Sequence, residues 1–177
     1  LMEVIEQGLI EDASIASNEA QADALWALRE SISEAERLDG ISVKHDISVP
    51  VSDMPGFMES AAREVERAFA GARVVAFGHL GDGNIHFNVR SPEAEAAQPW
   101  FDANNVGINR LVHDLVTAAE GSISAEHGIG QLKLAEFARL AGPTRLAALR
   151  AIKQAFDPLG IMNPGKLVPL ASDPPAP

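Results

Sequence analysis

Two histidines flank a glycine-rich turn in the stretch Phe77-Gly78-His79-Leu80-Gly81-Asp82-Gly83-Asn84-Ile85-His86. Asp-Gly between two apolar runs is a strong hairpin signal, and a two-residue type I′ turn at Asp82-Gly83 sets the register by counting. Gly81 then faces Asn84, Leu80 faces Ile85, and His79 faces His86, with Phe77 opposite Asn88. Directly paired residues hold their Cβ atoms about 4.5–5.5 Å apart on one face. Two imidazoles there can converge on one metal ion at about 2.0–2.1 Å. Glu126, in Glu126-His127-Gly128, offers an anionic third ligand. Three protein ligands leave room for water or substrate, the pattern of a catalytic site. His127 beside it is a candidate general base. The same residues also fit a hairpin whose histidines only pack, and an exposed Glu-His-Gly turn.

A second group is cationic. Arg29 and Ser33 are four apart and share a face if they lie on one helix. Lys44 leads the next strand. Arg29 can fork onto a carboxylate, Ser33 can donate to it and Lys44 adds a second charge. On spacing alone an ordinary solvated helix face is the simpler reading. Asn163-Pro164-Gly165-Lys166, after Asp157-Pro158-Leu159-Gly160, is a turn-rich segment that by composition needs no function.

These residues must be carried by identifiable elements. A helix is expected from Asn18 to Leu38, with Asn18 as N-cap, Gln21 in a capping box and an apolar stripe of Ala22, Leu25, Trp26, Leu28 and Ile32. Ile41–Val49 alternates as a strand, with Val43, His45, Ile47 and Val49 on one side, and Pro50 closes it. Ser52 is expected to cap a second helix that ends at Gly71. Arg73–His79 and Asn84–Arg90 read as the hairpin strands. A third helix runs to about Glu120, with Val106, Leu111, Val112, Leu115 and Val116 as its core face. Two shorter helices follow, Leu132–Leu140 and Thr144–Phe156. Few strands among helices predict an α+β fold, with helices packed on one face of an antiparallel sheet.

The 177 residues suit one domain, expected over 1–170, with a disordered tail at 171–177. A net charge of −11 disfavours a nucleic-acid partner. Anionic small molecules stay within reach of a local cationic cluster. With no cysteine, a disulfide scaffold, a thiolate metal site and a cysteine nucleophile are all excluded. No apolar run approaches the ~20 residues of a membrane span, so no transmembrane segment is expected. The acidic start has no charged n-region of a signal peptide. Beginning on Leu1, the chain is expected to be a piece of something longer, and a cytoplasmic location is expected, with a place peripheral to the membrane, or the mitochondrial matrix in a eukaryote, as alternatives.

Three segments, FGHLGDGNIHFNV (77–89), SAEHGIGQLK (124–133) and DPLGIMNPGKLVP (157–169), together resemble the C-terminal domain of the FAD-linked oxidases. That family includes dehydrogenases for D-2-hydroxyglutarate and D-lactate and a glycolate oxidase subunit, and the likeness covers about residues 18–169. It implies a ferredoxin-like α+β domain in which His79, His86 and Glu126 hold a divalent metal, zinc for preference. It implies that His127 takes the substrate hydroxyl proton, that Asn88 contacts the substrate carboxylate or hydroxyl, and that Asn163 approaches the flavin. LWALRESISEAERLDGISVKHDISVP (25–50) is most similar to the D-2-hydroxyglutarate branch, which makes Arg29, Ser33 and Lys44 the distal-carboxylate contacts. Ser33 stands where threonine is common. FAD itself needs a glycine-rich pyrophosphate loop. Gly81-Asp82-Gly83 precedes no helix and cannot serve as one. The implied partners are therefore a 2-hydroxy acid and a flavin domain of the same full-length protein; the electron acceptor is not named by the sequence, and a homodimer stays open beside a monomer.

Other readings stay open at this point. A free-standing metallohydrolase using His127 or Glu126 as base needs no flavin but leaves Arg29 and Lys44 unused. A non-catalytic or acid-sensing module would use the histidines only to stabilise a hairpin. D-lactate or glycolate dehydrogenation, or the transfer chemistry of an ether-lipid synthase relative, are variants within the same architecture.

Overall fold

The structure, a computed structural model, describes residues 1–93 and 95–168. The tail 171–177, expected to be disordered, lies outside the described residues. The chain divides into two compact units, Leu1–Gly40 and Ile41–Pro177, within the stretch expected to form one domain.

The first unit contains α1 (Met2–Glu6), α2 (Glu19–Glu30) and α3 (Ile32–Leu38). Asn18 caps α2 as expected, its side chain accepting from the Gln21 N–H at 3.0 Å. The Gln21 side chain reaches back to the N–H of Ser17 rather than of Asn18. The single helix expected over 18–38 is interrupted at Ser31, whose hydroxyl bonds the Leu28 carbonyl at 2.8 Å. Such back-bonding competes with the helical ladder and bends helices. Arg29 and Ser33 therefore lie on either side of the interruption. None of the α2 residues is buried, and Trp26 and Leu28 of the expected core stripe are exposed.

The second unit is built on β1 (Ser42–Ser48), β2 (Arg73–His79) and β3 (Asn84–Arg90), an antiparallel sheet in the order β1-β3-β2. Between β1 and β2 runs α4 (Met54–Ala68); after β3 come α5 (Ala97–Ala118), α6 (Leu134–Leu140) and α7 (Pro143–Phe156). The order β-α-β-β-α is ferredoxin-like. A fourth strand would pair beside β1, and there, among the described residues, the chain makes only an isolated bridge, Ser48 with Ser122.

Alternation along the strands puts Val43, Ile47, Ile85, Phe87 and Val89 on one face with α4 and α5, all at 3% exposure or less. Each such side chain contributes about 1.5–3 kcal/mol of burial free energy. Ile108, Val112 and Val116 of α5 close the core from the helix side, whereas Val106 points to solvent. The α7 helix starts on Pro143, whose missing N–H costs nothing in a first turn. Ser52 does not cap α4; its hydroxyl bonds the side chain of Asp53, the N-cap residue.

The hairpin differs from expectation in register. His79 pairs with Asn84 and Phe77 with His86, two residues away from the counted pairing, so the loop spans residues 80–83. The reason lies on the other edge of β3. The Gly83 carbonyl accepts from the Val49 N–H at 3.1 Å, which extends the β1 ladder by one pair. Gly83, at φ +74°, lies so close to β1 that a Cβ would sit 2.1 Å from the Val49 carbonyl oxygen. It is therefore committed to the sheet and is not the free half of a tight turn. The Asp82 side chain instead accepts from the Asn84 N–H.

Gly83→Ala is thus expected to destabilise the fold by roughly 1–3 kcal/mol or more, through both overpacking and a left-handed backbone. Gly81→Ala, with nothing within 4 Å of its Cβ position, should cost about 0.5 kcal/mol or less. Urea unfolding of the two variants checks this; equal midpoints would contradict the packing of Gly83 on β1.

Candidate functional site

The face of the sheet away from the core carries the polar residues in rows set by the register. Lys44, Asn88 and Val75 form one row, Asp46, His86 and Phe77 the next, and Ser48, Asn84 and His79 the third. Because the hairpin shift is two residues, an even number, His79 and His86 remain on one face. They are diagonal neighbours instead of a direct pair, with ring centroids 6.2 Å apart. Phe77, the direct partner of His86, packs on it at 5.1 Å. Asn88 is buried beneath the row while Lys44 is exposed.

The second half of the site arrives along the edge of β1. Ser48 and Ser122 exchange both backbone hydrogen bonds, at 3.0 and 2.8 Å. A regular strand would next bring Ser124 to Asp46. Here the N–H of Ala125 bonds the Asp46 carbonyl at 3.1 Å, one residue late. The extra residue acts as a bulge and turns the chain. The Asp46 side chain, 4% exposed, then takes hold of it. Its Oδ2 accepts from the backbone N–H groups of Glu126 and His127, both at 2.9 Å, and its Oδ1 accepts from the Asn84 amide at 2.9 Å. Burial pushes this carboxyl up, but the His127 and Glu126 N–H groups and Asn84 outweigh it and hold Asp46 below the usual carboxylate range.

Glu126 and His127 are consequently displayed, exposed, beside the row that holds His86. The His127 ring is 70% exposed with Nδ1 3.5 Å from Asp46 Oδ2. Lys133 supports the loop from behind, donating to the Ile123 carbonyl at 3.0 Å and to Ser124 Oγ at 3.2 Å. Burial lowers its pKa, opposed by Asp46. Sequence reasoning passed over both Asp46 and Lys133. The only signal for Asp46 was a charge in a strand position facing away from the core, which reads equally as a solvated residue.

Of the residues expected to hold metal, the structure brings His79 and His86 onto one face and hangs Glu126 from the adjacent row. Among the described residues no group of three His, Asp or Glu side chains is gathered tightly enough to hold an ion. Two imidazoles and a carboxylate are nonetheless donor types that suit zinc, and the Glu126 side chain is exposed. Asn84, in the row of His79, keeps a buried Oδ1 without a hydrogen-bond partner. Asn163, at φ +47°, lines an apolar cleft of about 360 Å³ with Leu149, Ile152, Phe156 and Met162. None of the polar-face rows lines that cleft. The Asn163 turn is organised by Asp157, which accepts from the Ile161 and Met162 N–H groups, and by Lys153, which bonds Asp157 and the Met162 carbonyl. The segment returns to the site loop where the Leu167 N–H bonds the Gly130 carbonyl. Arg29 and Ser33 belong to the first unit.

Comparison with known proteins agrees with the motifs. Residues 1–167 match the family model described as FAD linked oxidases, C-terminal domain. A D-2-hydroxyglutarate dehydrogenase of Stutzerimonas stutzeri is 38% identical over 92% of the chain and 35% of its own length. One from Xanthomonas citri pv. viticola is 40% identical over 92% of the chain and 34% of its length. The mitochondrial D-2-hydroxyglutarate dehydrogenase of Arabidopsis thaliana is 35% identical over 96% and 29%. The chain spans about a third of the length of these relatives. No helix among the described residues is long and apolar enough to cross a membrane.

Behind the site, on the core face, lies a second polar group. His45 Nδ1–H donates to the Phe87 carbonyl at 2.9 Å, and its ring meets that of His113 edge-on at 5.6 Å. His113 bonds Glu136 at 3.1 Å, and Arg139 joins Glu136 to Asp114. Burial pushes His45 down to about 4 and lowers His113 as well. A histidine whose folded pKa lies below its unfolded value of about 6.5 leaves the unfolded chain binding more protons between the two. Stability should therefore fall as pH drops from about 6.5 towards 4, by up to roughly 3 kcal/mol for His45. His45→Gln keeps a donor for Phe87 but cannot titrate. Its urea midpoint should fall less steeply than wild type over that window, and parallel curves would refute the assignment.

Proposed function

This chain belongs to the FAD linked oxidase C-terminal domain family, and on that premise we propose that it is the substrate domain of a flavin-dependent D-2-hydroxy acid dehydrogenase, acting on D-2-hydroxyglutarate. The observation that carries the proposal is the joining of two separate motifs at one place. The backbone of the Glu126-His127 turn is tied to Asp46, which pairs directly with His86 on the polar face of the sheet. The names of the relatives support the choice of substrate.

Oxidation of a 2-hydroxy acid breaks a C–H and an O–H bond at carbon 2 and forms a carbonyl. The flavin, carried by the remainder of the full-length protein, supplies the two-electron acceptor. His79, His86 and Glu126 would hold a divalent metal, zinc being the expectation, and it would supply a Lewis acid that lowers the hydroxyl pKa. His127 takes the hydroxyl proton at Nε2, the ring nitrogen away from Asp46. Asn88 contributes an amide to the near carboxylate or hydroxyl. Arg29, Ser33 and Lys44 hold the distal carboxylate, which fixes the substrate's orientation. Asn163 serves on the flavin side.

The metal assignment is tested by elemental analysis of the gently purified protein. We expect near one zinc or similar ion per chain, with most of it lost in the His79→Ala/His86→Ala double variant. Equal, low metal content in both proteins would refute the site.

Substrate choice is tested in the full-length enzyme. A charge-assisted hydrogen bond to a carboxylate is worth on the order of 1.5–3 kcal/mol. Arg29→Ala should therefore lower kcat/KM for D-2-hydroxyglutarate roughly ten- to a hundredfold, and for D-lactate, which lacks a distal carboxylate, much less. Equal losses on both substrates in a folded protein would move Arg29 to the near carboxylate and the assignment to a lactate or glycolate enzyme.

A further inference from the structure

We infer that Asp46 is the positioning residue of this site: its one buried carboxylate ties the 125–127 turn to the sheet and sets where Glu126 and His127 stand. The inference rests on the proposed roles of those two residues. Its structural half can be judged without them.

The geometry is specific. Asp46 lies in the central row of the polar face, directly beside His86 on the neighbouring strand. Its backbone carbonyl holds Ala125, and its Oδ2 holds the next two N–H groups at 2.9 Å each. Three consecutive residues of the turn are thus anchored to one residue of β1, eighty positions away in the chain for Glu126. The remaining oxygen is fixed by Asn84, which sits in the row of His79. The carboxylate therefore couples the two halves of the site, the hairpin and the Glu-His turn, through hydrogen bonds to both. Bonds to a charged acceptor are stronger than neutral ones, and stronger still away from water. With Nδ1 of His127 turned towards Oδ2 at 3.5 Å, the ring presents Nε2 outward.

Among the described residues no other hydrogen bond holds these two N–H groups. Ser124 bonds the Gly128 carbonyl at 2.7 Å and Lys133 holds residues 123 and 124. Those contacts shape the flanks, whereas the N–H groups of Glu126 and His127 themselves go to Asp46. Without it, these exposed residues can turn their N–H groups to water, so the turn loosens while the core stays packed.

The conservative replacement separates positioning from bulk. In Asp46→Asn the amide oxygen can still accept both backbone N–H groups. Its NH2 then meets Asn84, which can turn over and accept with the Oδ1 that now has no partner. Asp46→Ala removes the acceptors altogether, and Asp46→Leu removes them while keeping a side chain branched at the same atom if the alanine variant does not fold.

The test is hydrogen–deuterium exchange of the full-length protein, read on the peptide covering residues 122–130, together with steady-state kinetics on D-2-hydroxyglutarate. In Asp46→Ala or Asp46→Leu, exchange at 122–130 should quicken by roughly tenfold or more, with peptides from β3 and α5 unchanged. kcat should fall on the order of 10–100-fold with KM within about threefold, because the turn moves while the distal carboxylate contacts stay. Asp46→Asn should restore slow exchange and most of kcat. Apolar and asparagine variants that exchange alike at 122–130 would overturn the inference, as would a quickened turn with kcat unchanged. If wild type oxidises no D-2-hydroxy acid, the proposed function fails, and the exchange arm still decides the structural role of Asp46.

Discussion

Strand β3 is hydrogen-bonded along both edges, and the alternation this imposes on its side chains separates the core from the chemistry. Ile85, Phe87 and Val89 are buried without exposure on the helix side. Asn84, His86 and Asn88 point the other way and receive partners from both neighbouring strands. A shift of one residue on either edge would exchange the two sets and bury the site under α4 and α5. The core and the site therefore depend on the same ladder, and the close approach of Gly83 to Val49 is one of the contacts that hold it in register.

Burying charge is costly unless both carboxylate oxygens find donors. Asp46 meets that condition with N–H groups that belong to a turn, and in doing so it converts a burial cost into a geometric tie. The His45–His113–Glu136–Arg139 group behind the sheet solves the same problem differently. There burial disfavours the charged form of both histidines, and the ion pairs sit towards α6. Asp46 orders the face where chemistry is proposed, while the buried histidines link α5 and α6 to the sheet.

The fold also accounts for why the Glu126-His127 turn is irregular. The chain after α5 begins as a fourth strand at Ser122 and pairs with Ser48. Had it continued in register, its side chains would have alternated along the edge of β1. The residue gained at Ala125 diverts it over the polar face instead. A failed strand thereby becomes the platform for the candidate base.

The strands were legible from sequence because their alternation is set locally: Arg73–His79 and Asn84–Arg90 needed no knowledge of their neighbours. That His79 and His86 share a face was also legible, since it depends only on parity. Their direct pairing was not, because Gly83 is recruited by β1. The capping role of Asn18 lies within four residues and could be read; the interruption at Ser31 depends on a hydroxyl choosing the Leu28 carbonyl, which composition does not announce. Ordered motifs determined the family and nominated His79, His86, Glu126 and His127. Asp46 was decided by tertiary structure alone. Its partners are backbone N–H groups some eighty residues away, and backbone groups carry no sequence signature by which such a partnership can be read.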